Sequence, residues 1–186
     1  MIGFALCGSF CTVRAALNEL KGLCALNEVQ GIVSETVFAT NTRFADAARV
    51  VEEIAQLTGK PVIHSIVEAE PLGPRVPLEA LVICPCTGNT LAKMANGITD
   101  TAVTMAAKAH LRSNRPLVIA LASNDALSSN LKNIGQLLTR KNIYFVPMRQ
   151  DDPKDKPHSL VADFGKLQET LAAALRGEQY QRIFQI

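Results

Sequence analysis

Short, uninterrupted apolar runs, each ending in small hydrogen-bonding residues, constrain the fold of this chain more than any other feature. Ile2 to Leu6 ends at Cys7-Gly8-Ser9, Gly31 to Val33 at Ser34, and Leu81 to Ile83 runs into CPCTGNT, residues 84 to 90. Leu117 to Leu121 ends at Ala122-Ser123-Asn124-Asp125, and Ile143 to Val146 is the last such run. Runs that are apolar at every position mark strands buried on both faces, as in a parallel sheet covered by helices. Helical periodicity fills the gaps. One stretch from about Thr12 places Val13, Ala16, Leu17 and Leu20 on one face, and another does so with Phe44, Ala47, Val51 and Ile54. Asn41-Thr42 offer N-caps to the second, and Gly59 followed by Pro61 stops it. Further helices are expected over 89–95, 101–111, 131–140 and 159–175, and a short strand over 61–66. The alternation predicts an α/β protein with one domain over residues 1–186, a three-layer α/β/α sandwich around a parallel sheet.

At 186 residues, 48% of them hydrophobic, the chain can bury a sizeable core in one domain. The net charge is +2, with 19 basic residues scattered among 17 acidic ones and no basic stripe carrying aromatics. That pattern argues against a nucleic-acid partner. No uncharged apolar run approaches the roughly 20 residues a bilayer demands, and the start MIGFALCGSF has no basic segment, so no membrane association is expected. Five cysteines, an odd number, suit a reduced cytoplasmic setting.

In parallel sheets of this kind ligands sit beyond the carboxyl ends of the strands. Those ends are Gly8-Ser9, Ser34, Thr87-Gly88-Asn89-Thr90 and Ser123-Asn124, nearly all small and neutral, with no His, Glu or Lys among them. Gly8-Ser9 precedes a helix, where backbone N–H groups and a hydroxyl meet a phosphate or simply form a turn and cap. Thr87, Asn89 and Thr90 carry the same two readings. The convergence of such residues suits a planar, polar-edged ligand with one phosphate, and flavin mononucleotide (FMN) fits it. Neither G-x-G-x-x-G nor G-x-x-x-x-G-K-[ST] occurs, which disfavours a Rossmann dinucleotide site and a nucleoside triphosphatase.

Cys84 and Cys86 stand apart in sequence from His64, His110 and His158, so no metal site is expected. Cys7 and Cys11 read as packed small side chains. Arg43, a cation near a helix start, either serves an anionic ligand or is a solvated surface residue. Asp100 reads as a helix cap, and the charged segment 151–157 as a mobile loop or flap.

Three stretches carry a family resemblance. Pro85-Cys86-Thr87-Gly88-Asn89-Thr90, Ala95-Asn96-Gly97-Ile98-Thr99-Asp100, and Pro116 through Ser123-Asn124 resemble the superfamily of homo-oligomeric flavin-containing cysteine decarboxylases and flavin prenyltransferases. Within it, almost the full chain is similar to the family of bacterial dipicolinate synthase B subunits. Gly8-Ser9 with Cys11-Thr12, Thr40 to Phe44, Ala69 to Pro74, Ser123 to Leu127 and Lys141 to Pro147 carry that match. The resemblance implies a flavodoxin-like (Rossmann-like) fold, trimer-based homo-oligomers and a flavin between neighbouring subunits. It implies Gly8 and Ser9 at the flavin phosphate, with Ser34 at the second strand end. Thr87, Asn89 and Thr90 would contact the phosphate and ribityl chain, and Ser123 and Asn124 the isoalloxazine or substrate. It further implies a partner chain, the A subunit of dipicolinate synthase, which carries NAD(P), and a small dicarboxylate substrate met by Arg43, Asn41 and Asn124. The setting it implies is the mother-cell cytoplasm of a sporulating bacterium, and the product is dipicolinate. Two departures bear on activity: Pro71 stands where the decarboxylases carry a histidine, and residues 151–157 replace their cysteine-bearing flap. Oxidative decarboxylation is therefore not expected. The alternatives are a free-standing prenyltransferase- or decarboxylase-like enzyme and a non-catalytic partner that no longer binds flavin.

Overall fold

The computed structural model describes residues 1–185. Five strands pair in parallel: β1 (Ile2–Leu6), β2 (Val29–Val33), β3 (Ala80–Cys86), β4 (Leu117–Ser123) and β5 (Ile143–Phe145). Two short strands, β6 (Met148–Arg149) and β7 (Leu160–Ala162), complete a mixed sheet of order β2-β1-β3-β4-β7-β6. β5 pairs with the first half of β4, and β7 runs antiparallel to its last two residues, so β7 takes over the edge where β5 stops. β3 and β4 are central, and all seven residues of each are buried, which is why both read as unbroken apolar runs.

Helices α1 (Val13–Cys24), α3 (Ala47–Thr58) and α8 (Leu167–Leu175) cover one face. The other is covered by α4 (Ile66–Ala69), α5 (Gly88–Ala95), α6 (Ala102–Leu111) and α7 (Leu131–Leu138). A short α2 (Glu35–Ala39) follows β2. The result is the three-layer α/β/α sandwich, flavodoxin-like in its parallel centre.

Local signals hold in kind but not always in place. α3 begins at Ala47, capped by Asp46, whose carboxylate accepts from Arg49 N at 3.1 Å; Asn41 Oδ1 accepts from Ala47 N at 2.9 Å instead of starting the helix. Phe44 therefore lies before the helix and is 54% exposed, and Val50 takes the inward position expected of Val51. Gly59 ends the helix at φ 65°, the left-handed cap that glycine adopts without strain. The expected strand over 61–66 is reduced to one bridge, Ile63 to Ile32, because a Ser65–Glu68 capping box begins α4 at Ile66. The last helix begins at Leu167, since Leu160 to Ala162 pair with β4 and β6. Asp100 caps nothing: Thr101 is the N-cap of α6, and Asp100 pairs with Lys93 Nζ at 2.8 Å. No described helix is long and apolar enough to cross a membrane.

Candidate functional site

A cleft of about 740 Å³ opens beyond the carboxyl ends of β1, β3 and β4. The turn Gly8 to Thr12, the start of α5 at Thr87 to Asn89, and the end of β4 at Ala122 to Asp125 form its walls. Phe44, Asp151, Lys156, Ser159 and Val161 close it from the side. These contributors lie far apart in sequence and meet because the parallel strands all end on one edge of the sheet.

The β1 side presents donors. Phe10 to Thr12 form a single 3-10 turn leading into α1, and the N–H groups of Phe10 and Cys11 have no partner among the described residues. The Thr12 hydroxyl donates to Ser9 O at 2.9 Å and lies 3.1 Å from Ser9 Oγ. Lys156 Nζ stands nearby, paired with Asp151 Oδ2 at 3.0 Å. That hydrogen bond to Asp151 raises the lysine above its ordinary range, with a smaller pull from Asp152.

The β4 side presents a filled carboxylate. Asp125 Oδ1 accepts from Ser123 Oγ at 2.5 Å, and Asn130 Nδ2 lies 2.9 Å from both carboxylate oxygens. Ser129 Oγ adds a 3.4 Å contact, and Asn133 Nδ2 holds the Asn130 carbonyl at 2.8 Å. The Ser123 bond, followed by those from Asn130 and Ser129, holds the Asp125 carboxyl below the usual carboxylate range against the opposing effect of burial.

Between the two sides, Thr87 caps α5: its Oγ1 accepts from Thr90 N at 3.2 Å and donates to Thr90 Oγ1 at 3.1 Å. Thr90 Oγ1 then donates to Cys7 Sγ at 3.3 Å beneath the cleft floor. Burial pushes the Cys7 thiol up to about 11, and Cys84 and Cys86 well above the ordinary thiol value, so these thiols stay protonated.

Of the residues expected at the site, Gly8, Ser9, Thr87, Asn89, Ser123 and Asn124 line this cleft. Ser34 and Thr90 are buried and committed as cap and hydroxyl relay, and neither lines it. Arg43 is exposed, its guanidinium 4.7 Å from the centroid of Phe44, so it stands behind a cleft residue instead of inside the cleft. Cys11, expected to be packed, is exposed at the cleft wall. The segment 151–157 contributes Asp151 and Lys156 and is held by bonds such as Gln150 Nε2 to Pro157 O at 2.8 Å. Sequence reasoning missed Asp125, Lys156 and Phe44 as cleft residues, although a carboxylate two residues past a strand-end serine was visible. Among the described residues no group of three or more His, Cys, Asp or Glu is placed to hold a metal ion.

Fold and cleft together define a flavodoxin-like α/β protein with a polar cleft at the carboxyl edge of its sheet. The Flavoprotein family profile matches residues 1–176, and the chain belongs to that family. It is 48% identical over 183 residues to the B subunit of dipicolinate synthase from Bacillus subtilis strain 168, across 98% of this chain and 92% of that protein. The crystal structure of the dipicolinate synthase B subunit from Bacillus halodurans superposes with a TM-score of 0.91 at 45% identity, covering 100% of this chain and 95% of the other. The FMN-dependent cysteine decarboxylase SpaF shares the fold at a TM-score of 0.69 and 24% identity over 94% of each chain. The cleft residues fit a flavin of the FMN kind: amides without a partner among the described residues and the Ser9 hydroxyl for one phosphate, polar groups along one wall, and Phe10 and Phe44 beside a volume of about 740 Å³.

Proposed function

We propose that the cleft binds FMN and that the chain works as the B subunit of a two-subunit dipicolinate synthase. The observation carrying this reading is similarity over 98% of the chain to a protein of that name. The polar cleft at the carboxyl edge supports the flavin. In this reading Gly8, Ser9 and the amides of Phe10 and Cys11 receive the phosphate. Thr87 and Asn89 border the ribityl chain, and Ser123 and Asn124 lie by the ring or the substrate. Ser34, as the cap of α2, and Thr90, through its bond to Cys7, act from behind to hold the strand ends in place. Arg43 and Asn41, on the loop that carries Phe44, and Asn124 are the candidates for the dicarboxylate.

The reaction is an oxidation. Dihydrodipicolinate, formed from aspartate semialdehyde and pyruvate, loses two electrons and two protons to become dipicolinate, and its hydrated form also loses water. A nicotinamide on the A subunit takes up the electrons, and this chain alone turns nothing over. Bound flavin adds a group capable of two-electron redox chemistry; the chain's own residues bind it, orient it and limit water. The chain assembles as trimer-based oligomers in the cytoplasm of the mother cell.

Titrating the purified chain with FMN, following flavin fluorescence, tests the first half. Saturable binding at one site per chain is expected, and a folded chain that binds none would overturn it. The second half is tested by mixing the chain with the A subunit, NAD(P) and the condensation product. Dipicolinate formation should need both proteins. Turnover of dimethylallyl phosphate by this chain alone would instead favour a prenyltransferase.

A further inference from the structure

We propose that Asp125 sets the direction in which a flavin lies in the cleft, by fixing Ser123 as a hydrogen-bond acceptor and keeping the flavin phosphate away from the start of α5. The proposal rests on the flavin reading and adds to it which end goes where. Ser123 has one proton, and it is spent on Asp125 Oδ1 at 2.5 Å. The carboxylate cannot return a proton, because three side chains donate to it and hold it ionised. Ser123 Oγ, which lines the cleft, therefore offers the ligand only lone pairs. Ser9 differs: among the described residues its hydroxyl meets only that of Thr12, at 3.1 Å, and no carboxylate takes its proton.

The same carboxylate lies at the positive end of α5. Gly88 is the first residue of that helix, and a Cβ placed on it would stand 2.8 Å from Asp125 Oδ1. The N-terminal dipole of α5 thus already has its anion. Two helix starts face the cleft: at α5 the carboxylate touches the helix start itself, whereas the cleft's other carboxylate, Asp151, is paired with Lys156 Nζ at 3.0 Å, so the Gly8–Thr12 turn remains open to a phosphate. Hydroxyl or N–H groups of the ligand belong at Ser123.

The experiment compares FMN with riboflavin, which lacks the phosphate, on the full chain and on Asp125→Asn and Ser123→Ala. Each variant should weaken both flavins by about five- to tenfold, the size of one hydrogen bond, and leave the FMN-to-riboflavin ratio unchanged. If Asp125→Asn tightens FMN but not riboflavin, the phosphate lies at α5 and the proposal fails. It also fails if both affinities stay as they were. Circular dichroism and a melting curve check each variant, and Ser123→Ala, which leaves the carboxylate in place, carries the test should Asp125→Asn not fold. A wild-type chain that binds neither flavin refutes the cofactor reading itself, an outcome separate from any change in ratio.

Discussion

Gly88 lies so close to Ser123 that a Cβ on the glycine would stand 2.5 Å from the serine hydroxyl oxygen. The same added carbon would meet Asn130 Nδ2 at 2.7 Å, so the start of α5 rests directly on the Asp125 network. Gly88→Ala should cost about 1–3 kcal/mol through overpacking, and at about 2–4 °C per kcal/mol for a chain of this size the loss is visible in a melting curve. Flavin binding should weaken with it. An unchanged melting temperature would mean that α5 can shift without harm.

Asp125 links stability to acid. Its folded carboxyl titrates below the unfolded value of about 3.9, so its contribution is complete above that value and is lost as pH falls through the lower, folded one. The melting temperature of the wild type should therefore fall more steeply below about pH 5 than that of Asp125→Asn. Parallel curves for the two would contradict the assignment.

His110 gives a second dependence in a higher window. It is fully buried, its Nε2 lies 2.9 Å from Pro116 O, and its Nδ1 has no partner among the described residues. Burial holds its pKa below the usual histidine value, with Arg115 adding to the effect and the bond to Pro116 opposing it. A depressed histidine stabilises the fold above its unfolded pKa of about 6.5 and loses that contribution as pH falls. His110→Gln, which keeps a donor near Pro116 O, should flatten the stability curve between about pH 7 and 5. A curve as steep as that of the wild type would assign the slope to another group.

Thr90 should matter more to stability than to ligand. Its hydroxyl is buried between Thr87 and Cys7. Thr90→Val should cost about 1 kcal/mol in chemical unfolding while changing FMN affinity less than Ser123→Ala does. A large selective loss of FMN binding would place the hydroxyl in contact with the ligand.

Lys156 and Arg43 separate the two cations near the cleft. Lys156→Ala should lower FMN affinity more than riboflavin affinity, and the difference should shrink in high salt. Arg43→Ala should leave both flavins bound and act only on the dicarboxylate in the complete synthase. Equal effects of Lys156→Ala on the two flavins would remove Lys156 from the phosphate end.

Much of the frame was legible in the residues. β1, β3 and β4 are buried on both faces, so burial itself wrote the unbroken apolar runs. Gly59 marks a helix end through a dihedral angle set within a few residues. The strand-end rule then located Gly8, Ser9, Thr87, Asn89, Ser123 and Asn124 at one cleft without any long-range contact being known. β7 escaped, because its three residues are strand only by pairing with β4 and β6, and alone they continue the pattern of the helix that follows.

What tertiary structure alone decided is which polar groups are free. Ser9 and Ser123 are the same side chain at the same kind of strand end, yet the Ser123 proton is spent on the Asp125 carboxylate while Ser9 meets only the Thr12 hydroxyl. Thr90 and Ser34 look like ligand contacts in sequence and are consumed by Cys7 and by the α2 cap. Lys156 reaches the cleft from a loop far along the chain from Asp125, and Arg43 turns instead onto Phe44. A sequence states which donors and acceptors a chain possesses. Only the folded geometry determines how each proton is spent, between neighbours such as Ser123 and Asp125 as much as between Thr90 and Cys7, since a hydrogen bond depends on a few tenths of an ångström that no local pattern encodes.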